Sequence, residues 1–297
     1  MGCDNCELVE SARTLRLVAL DLDGTLLRSD GSISPRTRTA LAAAEAAGLT
    51  LMLVTARPPR RVVQIGESTG MRGLAICSNG GLVYDLSQGC AVQQTRLSAA
   101  TSHELIERLR GAAPGVRFAA EMGMSYGCEP QYRVASEHPH DQADPNMRRA
   151  DALVLCSEGV TKLIVQHAGR ELAELLELTR EHAGTLASVT HSGSNFVEVA
   201  ASSVSKALAL EAYCSERGIE PAQVIAFGDM PNDLPMLQWA GYAVAVANAH
   251  ETVRQAAHEV TLSNDEDGVA AVLERLAGDA YRAPMSGAGA PACDITR

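Results

Sequence analysis

Aromatic side chains are scarce: three Phe, one Trp and six Tyr make up 3% of 297 residues, which leaves few rings to stack on a flavin or a nucleobase. Positive charge is also short. Lys and Arg number 25 against 36 Asp and Glu, and the net charge of −11 is a poor match for a phosphate backbone, so a nucleic-acid partner is not expected. No apolar run approaches the roughly 20 residues of a membrane helix. The N-terminal MGCDNCELVESARTLR has no apolar signal segment, and a soluble, cytoplasmic protein that does not contact a membrane is expected. The eight cysteines follow no repeated spacing, so reduced thiols are the default. Cys3 and Cys6 form a lone CxxC with no second pair or nearby His to complete a tetrahedral zinc set. Gly2 does not open a myristoylation motif, because Cys6 stands where Ser or Thr is required. Internal repeats are absent.

What is present is an ordinary globular composition, 46% hydrophobic and 21% charged, at a length that suits two domains or one large domain with an insertion. Leu15 to Leu20 (LRLVAL) is a short apolar run that stops at an acidic, Gly-containing turn, as a buried parallel strand does. Residues 35 to 47 predict a helix, with Ser34 as N-cap, Pro35 at the first helical position and Gly48 past the end. Leu49 to Val54 and Leu74 to Cys77 read as further strands, so a parallel sheet with right-handed crossovers is expected. From about residue 82 the rhythm changes. LVYD and AVQQTRL resemble a hairpin, 98–110 and 170–182 helices, and VRFAAEM, TKLIVQH, LASVTHS and NFVEVAA strands, the composition of a separate α+β domain. The first rhythm then returns, with helices over 205–217, 231–240, 250–257 and 266–276 and strands at Val224–Phe227 and Tyr242–Val246.

Ligands of open parallel sheets bind beyond the carboxyl ends of the strands. At those ends stand Asp21 and Asp23 in DLDGTLL, Thr55 in VTAR, and Asp229, Asn232 and Asp233 in GDMPND. Two carboxylates about 4 Å apart repel by roughly 4 kcal/mol at an effective dielectric near 20, so four of them need a cation, shared protons or a compensating Lys. Hard oxygen ligands point to magnesium. A phosphate against that cation would use Thr55 as donor and Lys206 as counter-charge. An Asp carboxylate is a known nucleophile for phosphoryl groups, a second acid two residues on can serve the leaving group, and Gly24 lets the chain turn away behind both.

DLDGTLL, VTAR, VSK and GDMPNDLPML, in this order, resemble the four motifs of the haloacid dehalogenase-type phosphatases. The stretch NAHETVRQAAHEVTLSNDEDGVAAVL is similar to the Cof-type subgroup, in which a class IIB cap is inserted after the third core strand. The resemblance spans about residues 15 to 277. It implies a Rossmann-like α/β core over 15–82 and 200–278 and an inserted α+β cap over 83–199, between an extension at 1–14 and a tail at 279–297 expected to be disordered. It further implies that Asp21 attacks phosphorus, that Asp23 protonates the leaving oxygen and then activates water, and that Thr55 and Lys206 hold phosphoryl oxygens. Asp21, the Asp23 carbonyl and Asp229 would bind Mg2+, with Asp233 supporting the ion, while Gly24, Arg57, Asn79, Gly80 and Asn232 would border the substrate. Two details depart from the usual pattern: Ala56 precedes Arg57 where Gly is frequent, and Val246-Ala247 precede Asn248 where Met-Gly is frequent.

Each residue also has a plainer reading. A lone Asp-x-Asp is often a solvated turn, Thr after a strand is often an N-cap, and Lys on a helix is usually exposed; the ordered series of four motifs favours the functional reading. His138 and His140 in HPHDQADP lack matching ligands and read as a solvated loop, and Arg133, Glu121, His167 and His191 are not singled out. The expected activity is Mg2+-dependent hydrolysis of small phosphorylated metabolites through an aspartyl phosphate. Sugar phosphates are slightly favoured over nucleotide, flavin mononucleotide or pyridoxal phosphate, since Tyr126 and Tyr132 are the nearest stacking candidates in the cap. A phosphotransferase or mutase using the same Asp21, or a non-catalytic metabolite-binding protein, is the alternative. The sequence does not specify an oligomeric state.

Overall fold

The computed structural model describes residues 15–133, 147–192 and 195–281, so Cys3, Cys6, His138 and His140 lie outside the described residues, as does the tail beyond Tyr281. In chain order the strands are β1 (Leu17–Leu20), β2 (Thr50–Val54), β3 (Leu74–Cys77), β4 (Leu82–Asp85), β5 (Cys90–Gln94), β6 (Arg117–Met122) and β7 (Ser125–Cys128). They continue as β8 (Arg148–Arg149), β9 (Lys162–Gln166), β10 (Ala187–Thr190), β11 (Val197–Ala201), β12 (Val224–Gly228), β13 (Tyr242–Ala245) and β14 (Glu259–Val260). The helices are α1 (Pro35–Ala46), α2 (Pro59–Thr69), α3 (Ala99–Ala112), α4 (Ala152–Leu155), α5 (Leu172–Ala183), α6 (Lys206–Glu216), α7 (Leu234–Trp239), α8 (Glu251–Ala256) and α9 (Gly268–Tyr281).

The first sheet has eight strands in the order β14-β13-β12-β1-β2-β3-β4-β5, parallel from β14 to β3. β1 lies at its centre with β12 on one side and β2 on the other, so the strand order reverses there and a crevice opens at its carboxyl end. Both faces of β1 are buried, which is why its sequence is a continuous apolar run. Val18 and Leu20 pack under α1 and α9 through Leu41, Val269 and Leu273. Leu17 and Ala19 pack under α6 and α7 through Leu210, Met236 and Leu237. At about 1.5–3 kcal/mol per large apolar side chain, these two layers dominate the stability of the core. Helix α1 starts as its sequence predicts: the Ser34 hydroxyl accepts from the Thr37 N–H at 2.9 Å, and Pro35 occupies the first position.

The hairpin expected at 82–97 forms, but β4 pairs antiparallel with β3 and β5 with β4, so both belong to the core sheet although they fall in the 83–199 stretch expected to make up the cap. The second sheet is built from later strands in the order β10-β11-β9-β6-β7-β8. Its antiparallel strands alternate. Phe118, Ala120, Leu163, Val165, Val197 and Val199 point to α3 and α5 and form a dry core, and among the described residues no helix of this domain covers the other face of the sheet. The expected helix over 231–240 is a 3-10 turn at Pro231–Asp233 followed by α7, and α9 reaches Tyr281, inside the stretch expected to be tail.

Candidate active site

Two strand ends deliver the three carboxylates. Asp21 follows β1 and ties to the neighbouring strand through its N–H on the Phe227 carbonyl (3.2 Å); Asp229 follows β12; Asp233 closes the 3-10 turn after it. Ligand oxygens of Asp21, Asp229 and Asp233 lie within 4.8 Å of one another, and all three residues are buried. Lys206, the first residue of α6, reaches into the group and donates from Nζ to Asp21 Oδ1 at 2.5 Å and to Asp233 Oδ1 at 2.6 Å. Asp233 Oδ2 accepts the backbone N–H of Asp229 (3.1 Å) and of Met230 (3.0 Å). Both oxygens of Asp233 are thus engaged, and it orients Lys206 and the Asp229 backbone. Thr25 Oγ1 donates to Asp229 Oδ1 at 3.0 Å, a contact the sequence reading did not anticipate.

The electrostatics follow from this packing. Burial raises the Asp21 carboxyl well above its ordinary value; Lys206 opposes that shift, and Asp233 and Asp229 add to it. Burial likewise raises Asp229 to about 7, with Asp233 adding and Thr25 and Lys206 opposing. Burial alone would lower Lys206, but Asp21 and Asp233 outweigh it and hold the ammonium above its usual value. Three carboxylates against one ammonium leave a formal −2, which matches a hard divalent cation with oxygen ligands. Asp21 and Asp229 are the residues with carboxylate capacity to spare for it.

The glycines explain how the groups come so close. Gly24 has φ +75°, and a Cβ there would stand 2.4 Å from Asp229 Oδ2. Gly80 has φ +102°, and a Cβ there would stand 2.3 Å from the Ser205 carbonyl oxygen, against the start of the helix that carries Lys206. Both glycines therefore act through close packing behind the site.

Thr55 is fully buried at the end of β2; its hydroxyl accepts the Arg57 N–H at 3.0 Å, which leaves its own proton to donate elsewhere. Asp23 stands outside the three-carboxylate group. Its carboxylate is half exposed and is gripped by Arg57 through Nε (2.7 Å) and Nη2 (2.5 Å), a bidentate pair that fixes its direction. Ser78 and Asn79 after β3 both have positive φ, 50° and 57°, a strained backbone of the kind that persists at functional sites. Asn232 Nδ2 donates to Asn79 Oδ1 at 3.1 Å, while Asn79 Nδ2 and Asn232 Oδ1 are buried with no hydrogen-bond partner among the described residues. Asn79, Asn232 and Lys206 line one side of a cleft of about 190 Å³ whose other side is the second sheet.

That sheet contributes residues that sequence reasoning missed or left aside. Lys162 Nζ donates to Glu198 Oε1 at 2.6 Å and to the Ala56 carbonyl beside Thr55 at 2.8 Å; Ser78 Oγ donates to Glu121 Oε2 at 2.9 Å. Two sheets are thereby joined at the site. Tyr126 and Tyr132 are buried with Ala119 and Ile164, and among the described residues no aromatic side chain lines the cleft.

The geometry invites comparison with known proteins. The chain is 26% identical over 300 residues to the 5-amino-6-(5-phospho-D-ribitylamino)uracil phosphatase YwtE of Bacillus subtilis, covering 90% of this chain and all of that protein. It is 27% identical to the pyridoxal phosphate phosphatase YbhA of Escherichia coli, covering 86% of this chain and 97% of that one. A sugar phosphatase of haloacid dehalogenase subclass IIB shares the fold, with a TM-score of 0.75 at 20% identity over 89% of this chain and 99% of its own. The model of the haloacid dehalogenase-like hydrolases matches residues 18–273, and the chain belongs to that family.

Proposed function

We propose that the protein is a Mg2+-dependent phosphatase that hydrolyses monoesters of small phosphorylated metabolites through a phosphoryl group carried on Asp21. The observation that carries this reading is the buried group of Asp21, Asp229 and Asp233 bridged by Lys206, with Asn79 Nδ2, which has no hydrogen-bond partner among the described residues, lining the same cleft as Lys206. Relatives named as phosphatases of a ribitylamino-uracil phosphate and of pyridoxal phosphate support the substrate class.

Asp21, Asp229 and the Asp23 carbonyl would hold the cation, with Asp233 behind them. When bound, it neutralises the carboxylates and the phosphoryl oxygens that face them. The chain's own groups do the rest. Lys206 fixes the Asp21 carboxylate, which attacks phosphorus as the bond to the leaving oxygen breaks. Asp23, protonated and turned from Arg57 toward the leaving group, gives that oxygen its proton. It then takes a proton from water, whose oxygen attacks phosphorus and releases phosphate from Asp21. Thr55 and Lys206 donate to the phosphoryl oxygens throughout.

The test is turnover of p-nitrophenyl phosphate with Mg2+, wild type against Asp21→Asn. The variant should fold normally and lose turnover to the assay floor, and single turnover with phosphorus-32 substrate should label the Asp21 peptide of the wild type. A variant at wild-type rate, or an unlabelled peptide, removes Asp21 from the mechanism. Product analysis in the presence of a sugar acceptor separates transfer to water from transfer to a hydroxyl.

A further inference from the structure

The face of the second sheet turned away from α3 and α5 carries charges that the hydrolytic chemistry does not use. Glu121 on β6 stands directly opposite Lys162 on β9, and Glu198 on β11 is opposite Ile164, two residues along from Lys162, so the three share one face. Thr190 on β10 is opposite Glu198, and Ser188 lies two residues before it on the same face. This face lines the cleft across from Lys206 and Asn232.

Glu198 is the unusual member. It is 2% exposed, and only one of its oxygens is engaged: Oε1 accepts from Lys162, while Oε2 has no hydrogen-bond partner among the described residues. A buried carboxylate oxygen without a donor is costly, and such orphans in native structures call for an explanation. The charge around it is already balanced. Glu121 and Glu198 face Lys162, at 3.5 and 2.6 Å, Arg60 stands 4.0 Å from Glu121, and the His191 imidazole is close enough to feel the Glu198 charge, so basic groups already surround the two anions and no further cation is called for. The missing partner is therefore a neutral donor. Hydroxyls of Thr190 and Ser188 lie on the same wall, and the cleft of about 190 Å³ has no aromatic lining among the described residues and is smaller than the 300–1,000 Å³ usual for drug-sized ligands.

Resting on the phosphatase reading above, we propose that Glu198 is a specificity-determining residue. Its Oε2 accepts a hydrogen bond from a hydroxyl of the alcohol that leaves phosphate, and the preferred substrates are small, non-aromatic polyhydroxy phosphates. Lys162 is the positioning residue that holds Glu198 and anchors it to the core through the Ala56 carbonyl.

The experiment measures kcat and KM of wild type and Glu198→Gln with Mg2+ on ribose 5-phosphate, glucose 6-phosphate, sorbitol 6-phosphate and their deoxy analogues, with p-nitrophenyl phosphate as a hydroxyl-free reference. A hydrogen bond to a charged acceptor predicts that the ratio of kcat/KM for the best polyhydroxy phosphate to that for the reference falls about 10- to 100-fold in the variant, mainly through KM. Removing the relevant substrate hydroxyl should cost the wild type a similar factor and the variant almost nothing. Equal losses on every substrate, or a wild type indifferent to each deoxy substitution, overturn the role of Glu198 and leave the phosphatase reading standing. A wild type that prefers pyridoxal phosphate or flavin mononucleotide to every polyhydroxy phosphate overturns the substrate class. A folded wild type that releases no phosphate even from the reference overturns the phosphatase reading, and this inference with it. The deoxy series needs no variant, so the proposal stays testable if Glu198→Gln fails to fold.

Discussion

At the scale of single residues, the site depends on one missing methyl group. Gly24 combines a positive φ with a carboxylate oxygen where its Cβ would be, whereas Gly31, at φ +80°, has open space around that position. The two glycines separate backbone strain from collision. Gly31→Ala should cost only the strain of a left-handed residue, on the order of 1 kcal/mol. Gly24→Ala should cost more in stability and should also displace Asp229 and weaken metal binding by about tenfold or more. Thermal melts of both variants, with a Mg2+ titration of turnover, check this. Equal losses in stability and unchanged Mg2+ dependence for the two would show that Asp229 can move aside freely.

At the scale of elements, the first residue of α6 supplies the only ammonium on the carboxylate group among the described residues, and two devices place it. Ser205 caps the helix, its hydroxyl accepting the Leu208 N–H at 3.1 Å, and Gly80 lets the Ser205 carbonyl come close to the strained turn after β3. Ser205→Ala should cost about 0.5–2 kcal/mol of stability, as lost caps do, with a small effect on kcat because Asp21 and Asp233 still hold Lys206. Gly80→Ala forces the helix start away and should lower kcat at least tenfold. A Gly80→Ala enzyme that loses stability but keeps kcat would mean that this contact does not set the position of Lys206. The strand ends were legible in sequence because parallel strands buried on both faces read as apolar runs, so an Asp or Thr straight after LRLVAL, LMLV or VIAFG stands out. Alternation and turn residues revealed the β4–β5 hairpin. They could not say which sheet it joins, since that rests on long-range pairing. β7 (SYGC) and β8 are too short and too poor in strand-forming residues to signal themselves. Glu121, Lys162 and Glu198 were passed over for another reason. A lone charge in an alternating strand reads as solvent-facing, and only the register across β6, β9 and β11 shows that the three share one buried face.

At the scale of the whole molecule, a chain of net charge −11 concentrates a formal −2 in a buried crevice, which couples folding, protons and cation. Asp229 is raised to about 7 and Asp21 is raised as well, so both carboxyls bind protons more tightly folded than unfolded. A raised acid contributes stability that is complete below its ordinary value near 4 and is lost as pH climbs through the folded value. Without metal, the crevice should therefore favour folding at pH 5 and oppose it at pH 8. A divalent cation competes with those protons, so its stabilising effect should grow over the same interval. Surface acids such as Asp30, Asp265 and Glu251 are shifted downward by local hydrogen bonds and slope the other way. They lie away from the carboxylate group, so their effect cancels when each pH is measured with and without cation. The expected result is a Tm difference between 10 mM Mg2+ and EDTA of a few degrees or less at pH 5, widening by several degrees at pH 8, because about 1 kcal/mol moves Tm by a few degrees in domains of this size. Asp229→Asn removes one of the titrating carboxyls and a ligand together, and should flatten the difference at every pH. A wild-type difference that is constant from pH 5 to pH 8 would mean that the carboxylates are already fully ionised without metal and that the fold tolerates the formal −2 unneutralised.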